Sequence, residues 1–119
     1  MITVQELLDT QSLRLTAIAG LSGLTRTITW AHAVDLPDPW RWITGGNLVM
    51  TTGVGVPRNA SDQVVWLEKL ARSNASALVV ARQADAPELS REMLDAADRL
   101  MFPVLEGSFE LEFVQLSSM

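Results

Sequence analysis

Apolar and polar residues alternate, cluster and then recur at helical spacing along this chain, and each change of period marks an element. Near the start, Thr3-Val4-Gln5-Glu6 has the form of a capping box: the Thr hydroxyl accepts from the amide of Glu6, whose carboxylate reaches back. A short helix over about residues 4 to 9 is predicted, burying Val4, Leu7 and Leu8. Leu13 to Ala19 alternates and predicts a strand ending at Gly20. After the turn Gly20-Leu21-Ser22-Gly23, Thr27 to Val34 ("TITWAHAV") predicts a second strand with Ile28, Trp30, His32 and Val34 on one face. The turn between these two strands suggests an antiparallel hairpin.

Leu36-Pro37-Asp38-Pro39 cannot continue a central strand, because each proline removes a ladder donor. Trp40 to Ile43 predicts one helical turn before Gly45-Gly46. Leu48 to Thr52 and Ala77 to Ala81 are contiguous apolar runs, the pattern of strands covered on both faces. Between them, Ser61-Asp62 caps a predicted helix to about Ser73, with Val64, Trp66, Leu67, Leu70 and Ala71 on its apolar stripe and Asn74 as a left-handed stop. Pro87 suits the first turn of a further helix carrying Leu89, Met93, Ala96, Ala97 and Leu100, with Arg91, Asp95 and Arg99 on a solvated, ion-paired face. Pro103 to Leu105 predicts a short strand, Glu106-Gly107 a turn, and Ser108 the cap of a last helix with Leu111, Phe113, Val114 and Leu116. Strand, helix, strand, helix, strand, helix implies parallel strands joined by crossover helices. The expected fold is therefore α/β: a single domain over residues 1–119, with a mainly parallel sheet plus an N-terminal antiparallel hairpin.

Composition narrows the function. With 119 residues, 48% hydrophobic and 19% charged, the chain has the length and makeup of one globular domain. The absence of Cys excludes disulfides and thiolate metal sites. A net charge of −5, with nine basic residues scattered singly, argues against nucleic-acid binding by this segment. No run approaches the roughly 18 apolar residues of a membrane span, and the start lacks the basic and apolar regions of a signal peptide. The chain reads as soluble and intracellular, with no membrane partner.

Candidate chemistry is sparse. The one histidine, His32, sits mid-strand without a Gly-x-Ser-x-Gly elbow to partner it, so it reads as a half-buried strand residue. One histidine cannot build a histidine-rich metal site. Glu110 and Glu112 lie two apart on the predicted last helix and read as solvent-facing charge. Gly53-Val54-Gly55 lacks the third glycine of a dinucleotide fingerprint and the Gly-Lys-Ser/Thr of a P-loop. What remains is Asp35 at one strand end, and Thr51 and Thr52 at another beside Gly53, where open α/β sheets gather ligands. Gly53 and Gly55 equally suit a plain turn over the sheet end. Trp40 and Trp42 flank Arg41 and cannot both face one core; the segment reads equally as a core lid and as a partner surface. No catalytic residue, cofactor site or metal site is assigned.

The stretches "TVQELLD", "LTAIAGLSGLTRTITWAHAVDLPDPWRWITGGNLVMTTGVGV", "LARSNASALVVA" and "LMFPVLEGSFELEFVQL" together resemble the N-terminal domain of the PucR family, the purine catabolism regulator-like transcription factors. The most specific part is Ala19-Gly20, Gly23-Leu24, Arg26, Asp35, Pro37, Trp42 and the "LVMTTG" strand end. The resemblance implies a bacterial cytoplasmic regulator in which this domain is sensory, with DNA contacted only through a C-terminal helix-turn-helix region that is not in this chain. It carries over no set of ligand-binding residues. The expected function is that of a non-enzymatic regulatory module. It would bind a small-molecule effector at Asp35, Thr51, Thr52 and Gly53, with Trp40 or Trp42 as an apolar wall, and act within a homodimer. The alternative is a ligand-free dimerisation or interdomain docking module; a small enzyme fits least well.

Overall fold

A computed structural model of the chain describes residues 2–107. The predicted last helix, with Ser108, Glu110, Leu111, Glu112, Phe113, Val114 and Leu116, lies outside the described residues. Strand β1 (Ile2–Thr3) leads into helix α1 (Val4–Leu8), and the Thr3–Glu6 capping box is formed as the sequence predicts. There follow β2 (Thr16–Ala19), β3 (Thr27–Ile28), β4 (Trp30–Ala33), a 3₁₀ turn at Pro39–Trp42, β5 (Asn47–Thr51), α2 (Ala60–Arg72), β6 (Ala77–Ala81), α3 (Arg91–Arg99) and β7 (Val104–Gly107). Five strands form one sheet in the order β2-β7-β6-β5-β4, and β1 pairs with β3 in a separate two-stranded sheet. The pairs β4–β5, β5–β6 and β6–β7 are parallel, while β2 lies antiparallel to β7. This is the α/β domain with a mainly parallel sheet and crossover helices that the element order implies.

The contiguous apolar runs are explained by burial on two sides. Val49, Leu78, Val80 and Val104 face α2 and α3, meeting Trp66, Leu67, Leu70, Met93, Ala96 and Ala97. Leu48, Met50, Ala77, Val79 and Leu105 face the other way, against Val4, Leu7, Leu13 and Ile28. Every residue of β5 and β6 is buried. Each large apolar side chain so buried contributes roughly 1.5–3 kcal/mol, which is why neither strand tolerates alternation.

Antiparallel pairing does occur at the N-terminal side, between β1 and β3, but the two segments expected to pair with each other do not. They sit at opposite edges of the large sheet. The intervening turn docks instead of folding back: Gly20 adopts φ +70° and its N–H donates to Asp98 Oδ1 at 2.7 Å. A Cβ there would lie 2.0 Å from Phe102 O, so the close approach requires glycine. The expected strand over Thr27 to Val34 is broken at Thr29, whose N–H turns to Gly46 O. Trp30 is consequently 68% exposed instead of sharing a buried face with Ile28 and Val34.

Helix α2 is capped by Asn59, two residues before Ser61, and Asn74 takes the expected left-handed conformation at φ +68°. Helix α3 begins after Ser90 and not at Pro87. The cause is long-range. Gln63 of α2 donates to Pro57 O (2.9 Å) and Glu88 O (3.0 Å) and accepts from Ser90 N (2.8 Å), which holds residues 88 to 90 out of the helix, with Ser90 extended. Arg91 pairs with Asp95 as expected, at 3.7 Å, whereas Arg99 turns to Glu68 at 3.9 Å.

Candidate functional site

The parallel strands put the ends of β4, β5 and β6 along one edge, and three loops leave from it. Asp35 lies two residues past β4; its Oδ1 accepts from Thr51 Oγ1 at 2.7 Å and from Thr52 N at 2.8 Å. Thr51 Oγ1 in turn accepts from Gly53 N at 3.1 Å. The expected anchors Asp35, Thr51, Thr52 and Gly53 therefore form one hydrogen-bonded patch. Within it they divide: Thr51 is 2% exposed, and its hydroxyl both donates, tying the end of β5 to the segment after β4, and accepts from the Gly53 amide.

Thr52 differs. Its carbonyl accepts from Gln83 N at 2.9 Å, but its Oγ1 is buried with no hydrogen-bond partner among the described residues. A buried hydroxyl left in that state costs about 1–3 kcal/mol. Structures retain such a group where something else offsets the cost.

The glycine loop is closely fitted. Gly53 is buried at φ +90°, and a Cβ there would stand 3.1 Å from Ala86 Cβ. A Cβ on Gly55 would meet Asp35 O at 2.6 Å and Leu36 O at 2.7 Å. Val56 N closes the turn on Gly53 O at 3.1 Å. Gly53 is thus favoured by its left-handed backbone and Gly55 by close backbone approach, which is the plain-turn role that the sequence left open beside a ligand role.

The tryptophans separate as their spacing demands. Trp42 is 54% exposed, whereas Trp40 packs on the α2–α3 side of the core with Lys69 Nζ 5.2 Å from its ring centroid. Lys69 lies nine residues into α2, about 13 Å along the helix from the sheet edge where α2 begins. A tryptophan that the sequence reading placed only in a helix stripe, Trp66, donates from Nε1 to Pro37 O at 3.0 Å and so holds the loop after Asp35.

Sequence reasoning missed Gln63, Arg58 and Arg82. Gln63 is 1% exposed and occupies a position of the α2 apolar stripe, three and four residues before Trp66 and Leu67. A polar residue at a core position was the available signal. Arg82 Nε donates to Ala86 O at 3.2 Å and Arg58 Nη2 to Asp85 O at 3.1 Å, so both arginines lie against the loop beside Thr52. His32 is half-buried on β4, opposite Val49. Among the described residues no three His, Cys, Asp or Glu are grouped to hold a metal, and no helix is long and apolar enough to cross a membrane.

Comparison with known proteins follows this geometry. Residues 6–118 match the model of the purine catabolism regulatory protein-like family, PucR. The chain is also 38% identical over 104 residues to the transcriptional activator PmfR of Paenarthrobacter nicotinovorans, across 87% of this chain and 22% of that relative. It thus spans about a fifth of the relative's length.

Proposed function

The chain belongs to the purine catabolism regulatory protein-like (PucR) family, and on that premise we propose that this domain is the effector-responsive module of a transcriptional regulator. A small metabolite binds at the carboxyl end of the sheet, beside Asp35, Thr52 and Gly53, and biases the arrangement of the rest of the protein. Any such switch requires unequal affinity for two arrangements. The observation that carries the reading is the buried, unpartnered hydroxyl of Thr52, next to a carboxylate that keeps Oδ2 for a further bond. DNA contact belongs to a region other than this acidic segment. That the matched relative is a transcriptional activator supports regulation over catalysis.

The test is a thermal-shift screen of purine-pathway and amine metabolites. A ligand at ~100 times its dissociation constant adds roughly 2.7 kcal/mol to the folded state. Thr52→Val should abolish that shift while leaving the fold intact. A ligand whose shift is the same in wild type and in Thr52→Val binds elsewhere and removes this site.

A second reading, docking or dimerisation without a ligand, is favoured by the exposed Trp30, Leu36 and Trp42. It predicts concentration-dependent association in analytical ultracentrifugation that Trp42→Ser or Trp30→Ser weakens.

A further inference from the structure

Arg58 and Arg82 are the part of the sheet's carboxyl end that the proposed effector site leaves unused. Arg82 directly follows β6, and Arg58 lies two residues before α2. Their guanidiniums rest on the carbonyls of Asp85 and Ala86, neighbouring residues of one turn, so two like charges share a small stretch of surface. Both arginines are exposed. Among the described residues neither forms a salt bridge, whereas Arg41, Arg72, Arg91 and Arg99 all do. The carboxylates of Asp85 and Glu88, on the same segment, are not within pairing distance of either.

The turn that holds the arginines also borders Thr52. Gln83 N donates to Thr52 O at 2.9 Å, and Ala86 Cβ is 3.1 Å from where a Cβ of Gly53 would stand. Clipping this segment in place does not by itself call for charge, since the neutral Gln63 fastens its continuation through Glu88 and Ser90. Each guanidinium has five N–H donors and the structure uses one, leaving a fork suited to a planar or tetrahedral oxyanion.

We propose that Arg58 and Arg82 form an oxyanion-binding pair that takes the carboxylate or phosphate group of a small ligand at the carboxyl end of the sheet. The proposal rests on reading that end as an effector site, and adds the chemical class of what enters it. Arg82 supplies a charge-assisted bond on the β6 side of Thr52, and Arg58 supplies another from the start of α2.

Titrating the chain with inorganic phosphate and, separately, with malonate at constant ionic strength tests this, with binding read from amide chemical shifts. Saturable binding of at least one anion is expected, and the anion that saturates at the lower concentration identifies phosphate or carboxylate. Arg58→Gln and Arg82→Gln should each weaken binding at least tenfold, Arg82→Lys less, because the charge stays and only the fork is lost. Arg72→Gln, at an arginine paired with Glu68, should change nothing. A linear, unsaturated response to both anions, or saturable binding unaltered in the Arg58→Gln/Arg82→Gln double variant, overturns the pair. A screened metabolite that lacks an oxyanion and ignores both substitutions also overturns the pair, yet leaves the effector site standing. Saturable anion binding with no transcriptional response in the full-length protein supports the pair and removes the regulatory reading.

Discussion

The two ends of the sheet are built from similar residues and finished differently. At the amino end, Thr44 N donates to Asn47 Oδ1 (2.8 Å), Gly46 N to Asn74 O (2.9 Å) and Ser76 Oγ to Thr27 O. Of the arginines there, Arg26 is half-buried and donates to Met101 O at 3.0 Å, while Arg72 and Arg99 both pair with Glu68. At the carboxyl end, Asp35 and Thr51 close on each other in the same way, but among the described residues the Thr52 hydroxyl has no partner and two exposed arginines on one turn form no salt bridge. Polar residues at the amino end hold loops to the sheet. The carboxyl end holds its loops and keeps hydrogen-bonding capacity in reserve, which is what a ligand site needs.

The comparison breaks most severely at its tightest point. Gly20→Ala places a methyl against the backbone of Phe102 and Pro103 at φ +70° and should cost more than about 3 kcal/mol in chemical denaturation, from left-handed strain and overpacking together. At the carboxyl end, a Cβ on Gly53 would meet the Ala86 methyl at 3.1 Å and no backbone atom, a contact that a shift of a few tenths of an ångström relieves, so Gly53→Ala should cost near the roughly 1–3 kcal/mol of backbone strain. Equal losses would mean that the two ends are equally rigid.

A finer contrast lies within the carboxyl end. Thr51→Val removes a donor to Asp35 and an acceptor for Gly53 and should cost about 1–3 kcal/mol. Thr52→Val loses no bond, so stability should change by less than about 0.5 kcal/mol or rise, since an orphaned hydroxyl is replaced by a methyl of similar shape. If the two substitutions cost the same, Thr52 Oγ1 is hydrogen-bonded and the reserve does not exist. The smallest effect belongs to the solvated helix faces: Arg72→Gln, which removes an exposed pair with Glu68, should change stability by no more than about 0.5 kcal/mol.

Local signals account for what was legible in the sequence. The Thr3–Glu6 box, the buried runs at β5 and β6, the turn at Pro39–Trp42 and the stop at Asn74 are each set by neighbours within a few residues. The partner of β2 is not: the turn after Gly20 looks like a hairpin, and only docking onto Phe102, far along the chain, sends it elsewhere. The start of α3 likewise depends on Gln63, one helix away. At the candidate site the sequence identified Asp35, Thr51 and Thr52 as residue types at strand ends. Which hydroxyl is consumed follows from the pairing of Asp35 with Thr51 across two strands, and that is a property of register.

The most direct test of the difference between the two ends is an amide chemical-shift map of the chain titrated with the screened metabolites and with the two anions. The account predicts saturable changes at Asp35, Thr52, Gly53, Arg82 and Gln83, with Gly20, Asn47 and Ser76 unmoved. Changes centred on the amino end, or none at the carboxyl end with any ligand that binds, would contradict it.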